Sequence, residues 1–519
     1  MRKISMATAA AITLLASSGC ASALAVSGAR PSGPDRALAR PEQQKIVWRD
    51  CRTGAGDEIG ARLDAAGARC AEVTVPLDHG RPDGRTVKVA ISRLQATGPG
   101  RRRGALLINP GGPGDPGRIY APLLKAAAPA LAARYDLIGM DPRFTGRSTP
   151  VNCHWPIGDY LRSTGPDRRG FDRIAAQAED LAAHCVGQRE LLPHASARAT
   201  ARDMDVIRAA LGEPKLSYLG GAYGTYLGAV YLQLFPGRAD RFVLDSALDP
   251  AAAGPGYARP MGPALAAALK EWAGWAARHH DRYRLGSTTA RVLATVHRID
   301  RAAARDPLRI GHHRVDSHVF PVILLVSLGR DGEQDYASLA ADLQVLNDAA
   351  RGAEVTPTRS LQEGLAFLSS PEVNGAGSAR MAITCADGPA SRDPGPYYHD
   401  VDAHRADEPL FGPLTRAMNL PCAFWPASPA EPPTRIRNDV PALIVGALGD
   451  PKTPYAGQRA MRRALSGSRM VTVRGAFRHL VSGVFTSTPN ACVDGAVHRY
   501  LLEGVLPALD TTCTDIPAR

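Results

Sequence analysis

Short apolar runs recur along the first half of the chain with helical text between them. "GALLIN" (104–109), "YDLIGMD" (135–141), "LSYLG" (216–220) and "RFVLDSA" (241–247) are nearly continuous in apolar residues, the pattern of strands buried on both faces. Amphipathic stretches such as "ARDMDVIRAALG" (201–212) lie between them. Together they predict an α/β fold, a mostly parallel sheet with helices on both faces. Upstream, "AEVTVPLDHGRPDGRTVKVAISRLQA" (71–96) reads as two β-rich runs joined by a Gly/Pro/Asp turn, a hairpin. From about Pro250 to Pro409 the rhythm changes to Ala- and Arg-rich helical text, as in "ALAAALKEWAGWAARHHDRY" and "DYASLAADLQVLND". Strand rhythm returns with "PALIVGALGD" and "RMVTVRGAFRH". The expected organisation is a leader over 1–25, a linker over 26–45, and a core formed by 46–250 and 411–519. A helical insertion occupies 251–410, and no internal repeat is visible.

The leader changes the picture of where the chain works. "MRKISMATAAAITLLASSGCASALAVSG" has a basic start, an apolar stretch and small residues after it, the make-up of a secretory signal too short to span a membrane. Cleavage after Ala25, at the A-x-A site, is the favoured processing; the alternative is a lipid anchor at Cys20, in a lipobox-like "SSGC". Beyond the leader eight cysteines remain, an even number suited to an oxidising compartment. Their spacing suggests local pairs, Cys51 with Cys70, Cys153 with Cys185, Cys385 with Cys422 and Cys492 with Cys513, although eight cysteines allow 105 connectivities. No C-x-x-C or H-E-x-x-H spacing occurs, so neither a metal nor another cofactor is expected. The net charge of +12 raises the question of nucleic acid. No basic stripe with interleaved aromatics answers it, and the excess is mostly arginine, with only seven lysines in 519 residues.

Four short segments carry candidate chemistry. "LSYLGGAYGTYLG" (216–228) runs from a strand through a Gly-rich turn into a helix, the local form of a nucleophile elbow, G-x-S-x-G, which lifts a serine hydroxyl above the sheet edge. Ala222 stands where the serine would be. "LLINPGGPGDPG" (106–117) ends a strand in a loop whose glycines let backbone N–H groups approach a ligand. With the N–H that follows the elbow residue, this loop would form an oxyanion hole, assigned to Gly112 and Tyr223. Asp450 follows an apolar strand in "LIVGALGDPKTPY", and His479 follows the next one in "RMVTVRGAFRHLVS". Either alone has an ordinary reading, as a turn aspartate or a surface histidine. The chain order elbow, Asp, His is the order that an α/β-hydrolase imposes.

These segments, with "YDLIGMDPR", "RSTPVNC", "FPGRADRFVLDSALDP", "ITCAD" and "CAFWP", resemble in order the secreted tripeptidyl aminopeptidases of actinobacteria, relatives of the prolyl aminopeptidases. The resemblance runs from about Val47 to Cys513 and is weakest in the insertion. It implies an α/β-hydrolase fold with a helical cap, and a serine exopeptidase releasing short peptides from free N-termini. Asp450 and His479 fall on the family's acid and base, and Ala222 on its serine. Other departures accompany Ala222: Asp115 and Pro116 in the Gly-rich loop, Phe144 after "DPR", and Arg478 before His479. Each is expected to put a bulkier or charged group near the rim of the site.

Without the hydroxyl the acyl-enzyme route is closed. Tyr223 and Thr225 are not expected to replace it, since neither side chain takes the position above the sheet that Ala222 holds. Three readings follow. One is a pseudoenzyme that binds a peptide or small amide; another is a non-hydrolytic enzyme using His479 and Asp450 as a general base. The third is an active aminopeptidase or amidase whose native residue at 222 is serine. A carboxylate for the substrate's ammonium has only Asp387, in "ITCADGP", as a weak candidate. The protein is expected to be exported and monomeric, with no nucleic-acid partner.

Overall fold

The computed structural model describes residues 39–369 and 374–515. The leader with Cys20, and the linker up to residue 38, lie outside the described residues. Nine strands form the central sheet: β1 (Arg69–Pro76), β2 (Thr86–Leu94), β3 (Gly104–Asn109), β4 (Tyr135–Met140), β5 (Leu216–Gly221), β6 (Ala239–Asp245), β7 (Ala442–Ala447), β8 (Arg469–Arg474) and β9 (Thr511–Thr514). Their order across the sheet is β1-β2-β4-β3-β5-β6-β7-β8-β9. β1 and β2 form the expected antiparallel hairpin, and β2 is also antiparallel to β4. The pairings from β4 through to β9 are parallel. Every residue of β3, β4, β5 and β7 is buried, which is why these strands read as apolar runs and not as alternating ones.

The sheet separates two layers of core. One cluster, with Leu106, Leu219, Val243, Val445 and Tyr500, lies under the helices Tyr120–Ala127 and Ala491–Glu503. The other, far larger, cluster continues from the opposite face of the sheet through the helix Ala197–Ala210 and into the insertion. There the long helices Met261–Arg278, Thr289–Arg305 and Glu333–Ala349 pack on Trp272, Trp275 and their neighbours. The insertion also carries a small hairpin, Leu308–Ile310 with His313–Val315, that helical periodicity did not suggest. It turns at Gly311, whose φ of +57° suits glycine. β9 was not legible either, being four residues of Thr-rich text with one buried side chain, Cys513.

Disulfides close the four local loops: Cys51–Cys70, Cys153–Cys185, Cys385–Cys422 and Cys492–Cys513, with sequence separations of 19, 32, 37 and 21. The last ties the helix Ala491–Glu503 to edge strand β9. On the chain-entropy model, loops of this size stabilise the fold by about 3 to 4 kcal/mol each. Thiol titration of the denatured, unreduced protein is therefore expected to find none of these eight cysteines free; two or more free thiols would contradict the pairing. Replacing Cys153 and Cys185 together by alanine should lower unfolding free energy in urea by about 3 kcal/mol.

Candidate active site

The turn from β5 into the helix Tyr223–Leu234 is the most constrained point of the chain. Ala222 has φ 51° and ψ −121°, a region costly for any residue with a Cβ, by about 1–3 kcal/mol. Close packing dictates the turn. A Cβ on Gly220 would lie 2.6 Å from the Gly224 carbonyl oxygen, and one on Gly224 would lie 2.7 Å from Asn109 Oδ1. The loop after β3 comes equally close: a Cβ on Gly111 would lie 2.9 Å from Tyr223 N and 3.0 Å from Ala222 Cβ. The Gly111 N–H also donates to Asn109 Oδ1 at 3.0 Å. Three glycines thus let the β3 loop rest against the elbow.

His479 stands on the loop after β8, and that loop is fixed from beneath. The Asp245 carboxylate accepts from Val481 N and from both the N–H and the hydroxyl of Ser482. Ser246 Oγ accepts from Leu480 N at 2.9 Å, and the Gly329 carbonyl accepts from His479 N at 3.0 Å. The ring then meets Asp450, its Nδ1 3.1 Å from each carboxylate oxygen. Burial alone would raise Asp450, but the His479 charge and hydrogen bond, with the N–H and hydroxyl of Thr453, outweigh it and keep the carboxylate below its usual range. An ionised carboxylate only accepts, so the proton between the two groups is assigned to Nδ1.

Ala222, His479, Gly112 and Tyr223 all line one cavity of about 340 Å³. Asp450 stands behind His479 and is buried. The structure therefore brings five of the six sequence-derived residues together. Asp387, the sixth, is turned away: buried, it accepts from Ala197 N at 2.6 Å and from the Tyr223 hydroxyl at 2.5 Å, and it does not line the cavity. Burial raises it to about 7. The hydroxyls nearest Ala222 along the chain are occupied elsewhere, Tyr223 on Asp387 and Thr225 on the Ala222 carbonyl at 2.6 Å.

The expected crowding of the rim also needs correcting. Arg478 is buried and points away, donating to Asp331 at 2.5 Å, to the Thr488 carbonyl at 2.8 Å and to Asp515. Phe144 is packed in the core. Only Asp115 faces the cavity. Sequence reasoning missed the charged and phenolic groups around it: Lys452, Arg380, Tyr160 and Tyr257. Lys452 stood in plain view in "GDPKTPY", two residues from Asp450. The other three come from regions without catalytic spacing. Among the described residues no cluster of His, Cys, Asp and Glu suits a metal ion.

A parallel sheet with an antiparallel start, a strained strand-to-helix elbow and a His–Asp pair at neighbouring strand ends define an α/β-hydrolase. The sequence is 33% identical to a tripeptidyl aminopeptidase of Streptomyces lividans, over 92% of this chain and 88% of that protein. It is 30% identical to the serine protease Hip1 of Mycobacterium tuberculosis, over 91% of each, and 30% identical to a carboxylesterase B of the same species, over 94% and 92%. Residues 408–513 match the family described as TAP-like protein. Among solved structures, a proline iminopeptidase from Mycobacterium smegmatis is similar at 14% identity, over 83% of this chain and 97% of that one, with a TM-score of 0.35. The chain belongs to the tripeptidyl aminopeptidase-like α/β-hydrolases.

Asp387 gives a pH test of the elbow's support. Its folded value of about 7 lies above the ordinary 3.8, so between those values the folded protein keeps a proton that the unfolded chain has released. Stability from this group consequently falls as pH rises through that window, and is level above it. Asp387→Asn keeps an oxygen for Ala197 N–H and carries no such proton. Measured in urea, the variant should gain on wild type by on the order of 2–3 kcal/mol between pH 5 and 8, at about 1.4 kcal/mol per pH unit. A constant difference across that range would show that Asp387 is ionised throughout.

Proposed function

We propose that this protein is an exported, peptide-binding member of its family that has lost acyl transfer. The observation that carries the reading is the methyl group of Ala222 on an elbow otherwise complete. In this reading His479 is the retained base and Asp450 the acid that orients it. Gly112 and Tyr223 N–H are the retained oxyanion donors, and residues 251–410 serve as the cap. The base and its acid serve to deprotonate an attacking hydroxyl and the oxyanion donors to hold the intermediate that the attack forms, so without a nucleophile neither set has its step to assist. In subtilisin, loss of the serine removes about six decades of turnover. What remains is a cavity that can receive a peptide or small amide and release it unchanged. Export is supported by four disulfides, which persist in oxidising compartments.

The retained strain supports a direct test. A serine at 222 would inherit φ 51° and ψ −121° and its Cβ the same place. Wild-type protein should not be labelled by a fluorophosphonate, whereas Ala222→Ser should be labelled. The variant should also hydrolyse a tripeptide anilide with a free N-terminus at least about a hundredfold faster than wild type, a small part of what a complete triad supplies. Turnover by wild type at ordinary enzyme rates, about 1 to 1000 per second, abolished by His479→Ala, would overturn the loss of activity.

A further inference from the structure

The cavity holds a cation with no ion-pair partner among the described residues. Lys452 follows Asp450 on the turn after β7, and its own N–H donates to Asp450 Oδ1 at 2.9 Å. Its side chain leaves that turn and lies flat on the backbone of Gly329: a Cβ there would sit 2.7 Å from Lys452 Cε and 2.8 Å from Nζ. Gly329 is the same residue whose carbonyl receives His479 N–H. The ammonium is therefore placed by the segment that places the histidine, and it lines the cavity with Ala222 and His479. Among the described residues no carboxylate lies within ion-pair distance of Lys452, and Nζ makes no hydrogen bond.

The other charges of the cavity are already committed. Arg380 is shared by two carboxylates, Asp159 at 3.2 Å and Asp115 at 3.4 Å. Asp450 is engaged with His479 and Thr453. Burial, then the positive charge of Arg330, lowers Lys452 to about 8; Arg380 adds to this, and Asp450 and Asp115 oppose it. An ammonium in that setting lacks a counter-ion and is still mostly protonated at neutral pH. A half-buried cation without a paired counter-charge is costly, and a ligand that brings one negative charge lowers the cost.

We propose that Lys452 is an anchor for a carboxylate, so that the cavity selects ligands bearing a free carboxylate, such as the C-terminus of a short peptide, over their amides or esters. This rests on the reading of the cavity as a peptide-binding site, and narrows it. A singly charged carboxylate fits better than a phosphate. Phosphate recognition draws on forked guanidinium donors or several N–H groups, and the one guanidinium lining the cavity, Arg380, already faces two aspartates. Much of the remaining wall, Leu325, Val326 and Phe367 from the insertion and Met418 beyond it, is apolar and suits the uncharged remainder of such a ligand.

Binding of Ala-Ala-Ala and of its C-terminal amide, measured side by side by ligand-observed NMR titration, tests the anchor. Butyrate and butyramide form a second pair without peptide groups. Wild type should bind each acid roughly tenfold or more tightly than its amide, the effect of one counter-charge. Lys452→Met, which keeps the packed stem, should abolish that preference, and Lys452→Arg should keep part of it. Equal binding of acid and amide by wild type overturns the anchor while leaving a peptide site standing. A preference that survives in Lys452→Met overturns it too, as does an absence of binding in both pairs. Lys452-dependent binding of butyrate without binding of either peptide upholds the anchor and removes the peptide reading. Should Lys452→Met fail to melt like wild type, Lys452→Gln takes its place, and the acid-to-amide ratio of wild type is decisive on its own.

Discussion

One buried aspartate joins the two halves of the site. Asp245, at the end of β6, accepts the Ala222 N–H on its backbone carbonyl at 2.9 Å, while its carboxylate accepts from Val481 and Ser482 on the histidine loop. The elbow and the His479 loop thus share a single residue, and neither can shift without straining the other. Burial raises this carboxylate to about 6, with the Ser482 and Val481 hydrogen bonds and the His479 charge pulling the other way. A carboxylate in such a place is worth retaining only where its acceptors are all used. Here Ser246 adds a further contact, its hydroxyl meeting both Asp245 and Leu480 N. The position of His479 relative to Ala222 is thus set by β6 together with the Gly329 carbonyl that receives the His479 N–H.

The strain of the elbow does not depend on the group that the elbow presents. Ala222 costs the fold energy, but its φ and ψ go with close contacts among Gly220, Gly224, Gly111 and Asn109, which reach no further along its side chain than Cβ. Relaxing the turn would require separating β3 from β5, which pair over five residues in the centre of the sheet. Loss of a hydroxyl leaves those contacts untouched. The same holds for Asp450, whose carboxylate caps its own turn by accepting from Lys452 N and Thr453 N. Folding and catalysis draw on the same atoms, so a family member without a nucleophile can keep the geometry of one that has it.

Much of the fold was legible because its strands are buried on both faces. Continuous apolar runs mark β3 to β7, and only the polar edge strand β9 and the small hairpin of the insertion escaped. The site was legible in part. Glycine spacing, chain order and strand ends identify Ala222, Asp450, His479, Gly112 and Tyr223, which the fold brings together. Asp387 and Arg478 were misplaced because sequence gives proximity along the chain and not direction. Asp387 is spent on Tyr223 and on Ala197, 190 residues away in sequence. Arg478, adjacent to His479, points from the opposite side of its loop into Asp331 and Asp515. Arg380, Tyr160 and Tyr257 meet the cavity from the insertion and its surroundings, where helical text carries no spacing that marks a site.

The departures from the family pattern therefore divide by what they touch. Arg478 fastens the histidine loop to Asp331 and to the chain beyond β9, and Phe144 fills the core; both are compatible with an unchanged cavity. Asp115 and Ala222 are the ones that face it. Asp115 lies directly over the Gly-rich loop, within 2.9 Å of where a Gly112 Cβ would be, beside the N–H assigned to an oxyanion. A carboxylate there opposes the negative charge that a tetrahedral intermediate would develop, by the same electrostatics that makes N–H donors effective. Its partial neutralisation by Arg380 at 3.4 Å lessens that opposition without removing it. A missing nucleophile and an added anion act on the same step, one on its start and the other on its charge. That pairing weighs toward a site kept for holding ligands, since either change alone would already disfavour turnover.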